Sequence, residues 1–229
     1  MNKRRLVIGD IHGAYRALVQ CLERANFNYD EDELISLGDI ADGWTETVEC
    51  FEELFKIKHL TYVRGNHDQW LKQWLCKGDM PNMWTMQGGQ NTIKSYQKHP
   101  EKRESHKEFL KKAGSVYVSE DNKVFVHGGI DPSRDIQNQD KQYMQWDRSF
   151  WENRNKWQHK PIKGFDEIYV GHTSIYHQGY TEPYNAGNIW FMDTGAGWEG
   201  VLSIMDIDSK EVFQSDKVSE LYPEVQGRD

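Results

Sequence analysis

Cysteine, proline and long apolar runs are all scarce in this sequence. Among its 229 residues are only three cysteines and six prolines. An odd number of cysteines in helix-like segments argues against a disulfide framework, so we expect buried thiols and a cytoplasmic location. The basic start of the chain is followed by only three apolar residues, 6–8. We therefore expect neither a signal peptide nor a membrane span.

An excess of positive charge is also missing. The chain has 28 Lys and Arg against 36 Asp and Glu, a formal net charge of −8. This balance argues against stable binding to nucleic acid or to an anionic membrane. It is compatible with an anionic substrate, because bound metal cations can reverse the sign of the local charge. The oligomeric state is left open.

No repeat, low-complexity tract or Pro/Ser-rich linker divides the chain, so we expect one domain over 1–229. Apolar strands at 5–8, 34–37 and 60–63 alternate with amphipathic helices at about 14–24 and 45–55. This alternation predicts an α/β fold that begins with parallel strand pairing.

The middle of the chain has a different character. From about 68 to 113 it is helical and aromatic-rich, which predicts an insertion or cap within the domain. The sequence then turns β-rich, and a turn at 208–210 predicts a hairpin. The last residues, about 217–229, are polar, and we expect them to fray.

Five apolar strands run directly into glycine-flanked polar residues. These polar residues are Asp10 and His12, Asp39, Asn66 and His67, His127, and His172. Loops at the carboxyl ends of parallel strands meet at one edge of an open sheet, where α/β proteins bind ligands. Oxygen and imidazole donors suit Zn, Mn or Fe, whereas thiolate sites have other preferences. A single Asp or His in such a place is usually structural, but five matching positions predict a metal centre.

These motifs resemble the calcineurin-like metallophosphoesterase superfamily, which shows D-x-H, G-D, G-N-H-[DE], H-G/A-G and G-H-T in this order. The set is most similar to the phosphoprotein-phosphatase branch, with its bacterial and phage Ser/Thr protein phosphatases and symmetrical diadenosine tetraphosphatases. The resemblance extends from about residue 6 to residue 207. It implies a four-layer α/β/β/α sandwich of two mixed sheets.

The resemblance also implies the roles of the metal ligands. One divalent ion would be held by Asp10, His12 and Asp39, and the other by Asp39, Asn66, His127 and His172. We expect manganese at both positions, with iron or zinc as alternatives. A shared carboxylate screens the repulsion between two cations, and a hydroxide bridging them would attack the phosphate.

Two further residues carry a catalytic role in this resemblance. His67 would pair with Asp42, and the carboxylate would fix the imidazole tautomer so that His67 serves as general acid or stabilises the charged transition state. A helix-capping His67 and a turn-forming Asp42 are the structural alternative. Asp68 is expected to begin the next helix, because a carboxylate suits a helix N-terminus.

The chain departs from the branch at one position. Gly43 stands where the branch has an arginine that binds the substrate phosphate, so a fork-shaped contact is lost. Arg148 and Arg64 are candidates to bind substrate instead, although Arg64 could equally form a structural salt bridge. Trp44 is expected to pack in the core.

We therefore predict a two-metal phosphoesterase that hydrolyses phosphomonoesters, either phosphorylated Ser/Thr in proteins or small phosphorylated molecules. Its partner is the phosphorylated substrate. The alternatives are a dinucleoside polyphosphate hydrolase, an RNA or nucleotide end-phosphatase, and a metal-binding scaffold without turnover.

Overall fold

The structure is a computed structural model that describes residues 3–225 and 227–228. Within these residues, ten strands form two five-stranded sheets, in the orders β10-β9-β1-β2-β3 and β4-β5-β6-β8-β7. The strands are β1 (Arg5–Ile8), β2 (Glu33–Ser36), β3 (His59–Tyr62), β4 (Val116–Val118), β5 (Lys123–Val126), β6 (Glu167–Val170), β7 (Tyr184–Ala186), β8 (Ile189–Phe191), β9 (Ser203–Asp206) and β10 (Val212–Gln214).

Helices connect and cover the strands. They are α1 (Tyr15–Arg24), α2 (Thr47–Leu54), α3 (Asn66–Lys77), α4 (Asn82–Trp84), α5 (Gln90–Lys98), α6 (Arg103–Lys112), α7 (Lys141–Trp146), α8 (Ser149–Glu152), α9 (Arg154–His159) and α10 (Val218–Leu221). A π-helical turn, Thr85–Gly89, joins α4 to α5. No helix in the described part of the chain combines the length and apolar character needed to cross a membrane.

Both sheets are mixed, and each contains three parallel strands. In the first sheet β1 pairs in parallel with β2, and β2 with β3, while β9 runs antiparallel to β1. In the second sheet β5, β6 and β8 are parallel, and β4 and β7 are antiparallel edges. The carboxyl ends of the parallel strands within each sheet therefore point the same way.

Alternation along the strands divides the core into layers. Leu6 and Ile8 of β1 pack against α1 and α2, whereas Val7 faces the other sheet. In β5 and β6, Phe125 and Tyr169 likewise point between the sheets and stack with ring centroids 4.9 Å apart. Because successive side chains of a strand point to opposite faces, each sheet buries both faces. The predicted α/β/β/α sandwich is confirmed.

The structure differs from the sequence prediction at the end of the chain. Where fraying was expected over 217–229, residues Val218–Leu221 form α10, and the side chains of Val218 and Tyr222 are buried. Two members of that segment, 226 and 229, lie outside the described residues. The short edge strand β7 was not predicted, because its sequence, Tyr-Asn-Ala, has no apolar run. The assignment of one domain to 1–229 stays a prediction.

Candidate metal centre

The predicted ligands lie where the parallel strands end. Asp10 follows β1, Asp39 follows β2, and Asn66 begins α3 after β3. His127 and His172 follow β5 and β6 of the second sheet. Since the carboxyl ends of both sheets open at the same place, side chains more than a hundred residues apart in sequence come together there.

Backbone strain is concentrated at this place. His12, Asp39, Asp42 and His172 have positive φ angles of 52°, 47°, 72° and 63°. Each such residue costs on the order of 1–3 kcal/mol and persists only where surrounding contacts hold it. The carbonyl of Asp39 accepts hydrogen bonds from two successive amides, those of Ile11 and His12, which hold this backbone in place. Strain of this kind is typical of functional sites.

Two glycines let the carboxylates approach the backbone closely. A Cβ at Gly65 would overlap Oδ1 of Asp39, and a Cβ at Gly171 would overlap Oδ1 of Asp10. Neither glycine has a positive φ angle, so the requirement is for space rather than for backbone conformation.

The buried donors form two groups that share Asp39. One group contains Asp10, His12 and Asp39, and the other contains Asp39, His127 and His172. Within each group the candidate ligand atoms lie within 4.8 Å of one another. One carboxylate common to two groups is the arrangement that two-metal hydrolytic centres require.

Each of the three candidate metal-ligand histidines has one ring nitrogen hydrogen-bonded to a backbone carbonyl. Nδ1 of His12 lies 3.0 Å from the carbonyl oxygen of Ala41, and Nδ1 of His127 lies 2.8 Å from that of Leu37. In His172 it is Nε2 that lies 3.2 Å from a carbonyl oxygen. A carbonyl only accepts, so each of these nitrogens carries a proton, and the other ring nitrogen is left to bind a metal.

The free nitrogen of His127 faces acceptors only. Its Nε2 lies 2.9 Å from Oδ1 of Asn66 and 3.2 Å from Oδ2 of Asp39. Burial lowers the pKa of His127, but Asp39 and Asp10 outweigh burial and raise it to about 10. These three side chains fit a divalent ion, which would satisfy all of them at once.

The other carboxylates also indicate an unbalanced negative charge. Burial and the nearby Asp193 raise the pKa of Asp10 well above its usual value. Asp193 is buried, and its Oδ2 has no hydrogen-bond partner among the described residues. Asp193 begins a stretch, 193–197, that also resembles the family, but the sequence assigned this carboxylate no role at the centre.

His67 and Asp42 form the predicted pair. Nδ1 of His67 lies 2.6 Å from Oδ2 of Asp42, and both side chains are buried. The carboxylate also accepts hydrogen bonds from Nε1 of Trp84 at 2.8 Å and from the hydroxyl of Thr92 at 2.8 Å. With both carboxylate oxygens occupied, Asp42 fixes the orientation of His67 and leaves Nε2 of the imidazole for substrate. The sequence places Trp84 in a stretch, 84–89, that also resembles the family, but it assigned neither Trp84 nor Thr92 a role at Asp42.

Trp84→Phe should lower kcat for a phosphate ester about 10-fold or more. The substitution keeps a buried ring but removes one of the donors to the Asp42 carboxylate, and a hydrogen bond to a charged group is worth about 1.5–3 kcal/mol. Steady-state kinetics measures the effect. Trp74→Phe is the matched control, since Trp74 lies 5.8 Å from the Trp84 ring but does not contact Asp42. An equal loss in both variants would assign the effect to packing.

Asp68 caps the helix that follows, as the sequence indicates. Its carboxylate accepts hydrogen bonds from the amide of Gly65 at 3.3 Å and from the amides of Ile40 and Ala41 at 3.0 and 3.1 Å. It therefore ties the start of α3 to the loop that carries the metal-ligand candidates.

The two predicted substrate-binding arginines occupy different environments. Arg148 is exposed, and its charge contributes, after burial and His127, to a pKa of His172 well below the usual value. Arg64 is buried and donates through Nη2 to the carbonyl of Ala113 at 2.7 Å, and it forms no salt bridge with any residue that the structure describes. Its Nε and Nη1 have no partner among the described residues.

The tryptophans divide between core and site. Trp44 is buried, and its Nε1 donates to the carbonyl of Ala196 at 2.7 Å, so it packs as expected. Trp70 and Trp146 are half-buried beside the site, with ring centroids 5.0 Å from His67 and 6.0 Å from His172 respectively. These two rings form one side of the opening that leads to the candidate metal centre.

Comparison with known proteins agrees with this geometry. The profile of the Calcineurin-like phosphoesterase family matches residues 3–199, so the chain belongs to this family. It is a metal-dependent hydrolase that acts on phosphate esters or anhydrides.

The similar proteins include both protein phosphatases and dinucleoside tetraphosphatases. Serine/threonine-protein phosphatase 1 of Salmonella typhimurium is 26% identical over 207 residues, which covers 88% of this chain and 90% of that protein. The symmetrical bis(5'-nucleosyl)-tetraphosphatase of Neisseria meningitidis is 24% identical over 270 positions, covering 90% and 93%. Among solved structures, a putative diadenosine tetraphosphatase has a TM-score of 0.69 at 16% identity and covers 93% of both chains, which shows a shared fold.

Proposed function

We propose that this chain is a phosphomonoesterase that acts on phosphorylated Ser/Thr in proteins or on small phosphorylated molecules in the cytoplasm. One observation carries the proposal: two buried donor groups share Asp39, and the His67–Asp42 pair lies directly beside them. The first arrangement suits a pair of divalent ions, and the second suits protonation of a leaving group.

In this proposal Asp10, His12 and Asp39 hold one ion, and Asp39, Asn66, His127 and His172 hold the other. Such ions neutralise phosphate oxygens and lower the pKa of bound water. We propose manganese, because the ligands are carboxylate, amide and imidazole groups, and iron and zinc share this preference in part.

The chain's own residues do the remaining work. His67 donates a proton to the departing oxygen, and Asp42 holds its imidazole in one tautomer. Arg148, exposed near His172, and Arg64, with two unpartnered buried nitrogens, bind oxygens of the substrate. Trp70 and Trp146 exclude water from one side of the opening that leads to the metal centre.

A dinucleoside polyphosphate hydrolase is the second candidate. It is favoured by the names of the tetraphosphatase relative and of the solved structure with the same fold. However, the alignment with that relative runs over 270 positions, although this chain has 229 residues, so it contains insertions that this chain lacks. The alignment with the protein phosphatase runs over only 207 positions and needs far fewer insertions, which favours the phosphomonoesterase.

A side-by-side substrate panel tests the proposal. With manganese added, we expect kcat/KM for a phosphoserine peptide or p-nitrophenyl phosphate to exceed that for diadenosine tetraphosphate at least about 10-fold. A factor of ten corresponds to about 1.4 kcal/mol of transition-state stabilisation. The same assay with iron, zinc or chelator added identifies the metal. Faster cleavage of diadenosine tetraphosphate would favour the second candidate, and no turnover of any compound with any metal would contradict both.

A further inference from the structure

A positively charged side chain from far along the sequence reaches the candidate metal centre. Nη1 of Arg228 lies 3.0 Å from Nε2 of His12, and Nη2 lies 3.3 Å from Oε1 of Gln87. Arg228 is 216 residues from His12 in sequence. Only the tertiary fold brings it to the site.

The guanidinium lies at the edge of the acidic centre, where its Nη1 faces the imidazole of His12. A Cβ built on Gly197 would lie 2.6 Å from Cδ2 of His12 and 3.2 Å from Cδ of Arg228, so both side chains pack against this glycine. A guanidinium at this edge is placed to meet an anion that would bind to metal ions in the centre.

Arg228 is held in this position from several sides. Its amide donates to the carbonyl of Gly197 at 3.0 Å, and its guanidinium carbon lies 4.5 Å from the centroid of the Trp198 ring. The cation–π contact leaves the edge of the guanidinium, with its N–H donors, free to face the centre.

The same segment occupies the space beside Gly43. A Cβ built on Gly43 would lie 3.4 Å from Cγ of Arg228, so the Arg228 side chain passes close to where a side chain at position 43 would begin. Gly43 has a φ of +90°, where a larger residue would be strained. Position 43 thus leaves room for Arg228.

Trp44 connects Gly43 with the segment that carries Arg228. Its ring stacks on Tyr222 with centroids 5.0 Å apart, and the backbone at Gly227 runs against the ring with no room for a Cβ. The residue after Gly43 therefore supports the segment that carries Arg228. The pair Gly43-Trp44 and the Arg228 segment form one arrangement.

We propose that Arg228 is a further phosphate-binding arginine of this enzyme, in addition to Arg148 and Arg64, and contacts the non-bridging oxygens of the substrate phosphate. This inference rests on the proposed function. Nε2 of His12 has a single lone pair, so a metal ion held there would leave the Nη1 donor of Arg228 free for an oxygen of the phosphate. The planar guanidinium can then bind two phosphate oxygens in parallel.

Arg228→Ala should lower kcat/KM for p-nitrophenyl phosphate about 10- to 100-fold, mainly through a higher KM, because a contact to the phosphate is made before and during reaction. Calorimetry on the manganese-loaded variant should show binding of inorganic phosphate weakened at least about 10-fold, with manganese affinity unchanged. Arg228→Lys retains the charge but loses the bidentate guanidinium. Its kcat/KM and its phosphate affinity should lie between those of Arg228→Ala and those of the unsubstituted protein.

Arg154→Ala is the matched control, since Arg154 makes a similar cation–π contact, 4.3 Å from the Trp151 ring. It should leave phosphate binding and KM unchanged. Unchanged phosphate binding in Arg228→Ala would overturn the proposal. Tighter manganese binding with higher activity would also overturn it, because Arg228 would then compete with the metal for His12. Inactivity of the unsubstituted protein on every substrate would instead contradict the proposed function.

Discussion

Asp39→Asn should reduce kcat/KM for p-nitrophenyl phosphate by roughly 10³-fold or more and lower the manganese content of the protein. Asp39 belongs to both donor groups, so loss of its charge weakens both sites. Asparagine keeps the side-chain shape and tolerates the positive φ of 47° at this position, so the backbone should be unchanged. Release of p-nitrophenol measures activity, and calorimetric titration counts the bound manganese.

The control for this variant is Asp30→Asn, which removes the same charge from an exposed position. Both its activity and its manganese content should match those of the unsubstituted protein. If Asp39→Asn retained two bound manganese ions and more than about a tenth of the activity, Asp39 would not be a ligand shared by two ions.

The second large effect is expected from His67→Gln. For a phosphoserine peptide we expect kcat to fall about 10²- to 10⁴-fold, the usual range for loss of a general acid. For p-nitrophenyl phosphate the loss should be much smaller, because p-nitrophenolate departs without needing a proton. Steady-state kinetics on both substrates measures the difference, and calorimetry should show that manganese binding is retained.

His59→Gln provides the matched control, because His59 is exposed on β3. An equal loss on both substrates would show that His67 stabilises charge in the transition state instead of donating a proton. Unchanged kinetics on both would contradict either role and favour the purely structural interpretation of the His67–Asp42 pair.

The metal-ligand candidates were recognisable because each follows a strand. Asp10, Asp39 and His127 each follow an apolar segment, and the alternation of strands and helices predicted parallel pairing for the two segments before Asp10 and Asp39. The structure brings these residues into two groups of donors, and His67 contacts Asp42 as the resemblance implies. The sequence motifs and the sheet topology both place the candidate ligands at the same edge of the fold.

The residues that surround these ligands carried no such signal. Trp84 and Thr92 both donate to Asp42, yet they lie 42 and 50 residues away in an aromatic-rich segment where most such side chains fill the core. Arg228 lies in a polar segment for which fraying was expected. Tertiary contacts hold it at the centre: Gly227 packs on Trp44, the Arg228 amide donates to Gly197, and the guanidinium lies over Trp198.

The sequence by itself predicted the family and the reaction class through its motifs, and it predicted that the candidate ligands lie together, because the carboxyl ends of parallel strands converge. The tertiary structure alone decided which groups support those ligands: the carbonyls that set the imidazole tautomers, the donors to Asp42, and the guanidinium of Arg228 beside Gly43. Hydrogen bonds and charge contacts of this kind act over a few ångströms between distant parts of the chain. No local pattern of residues records them.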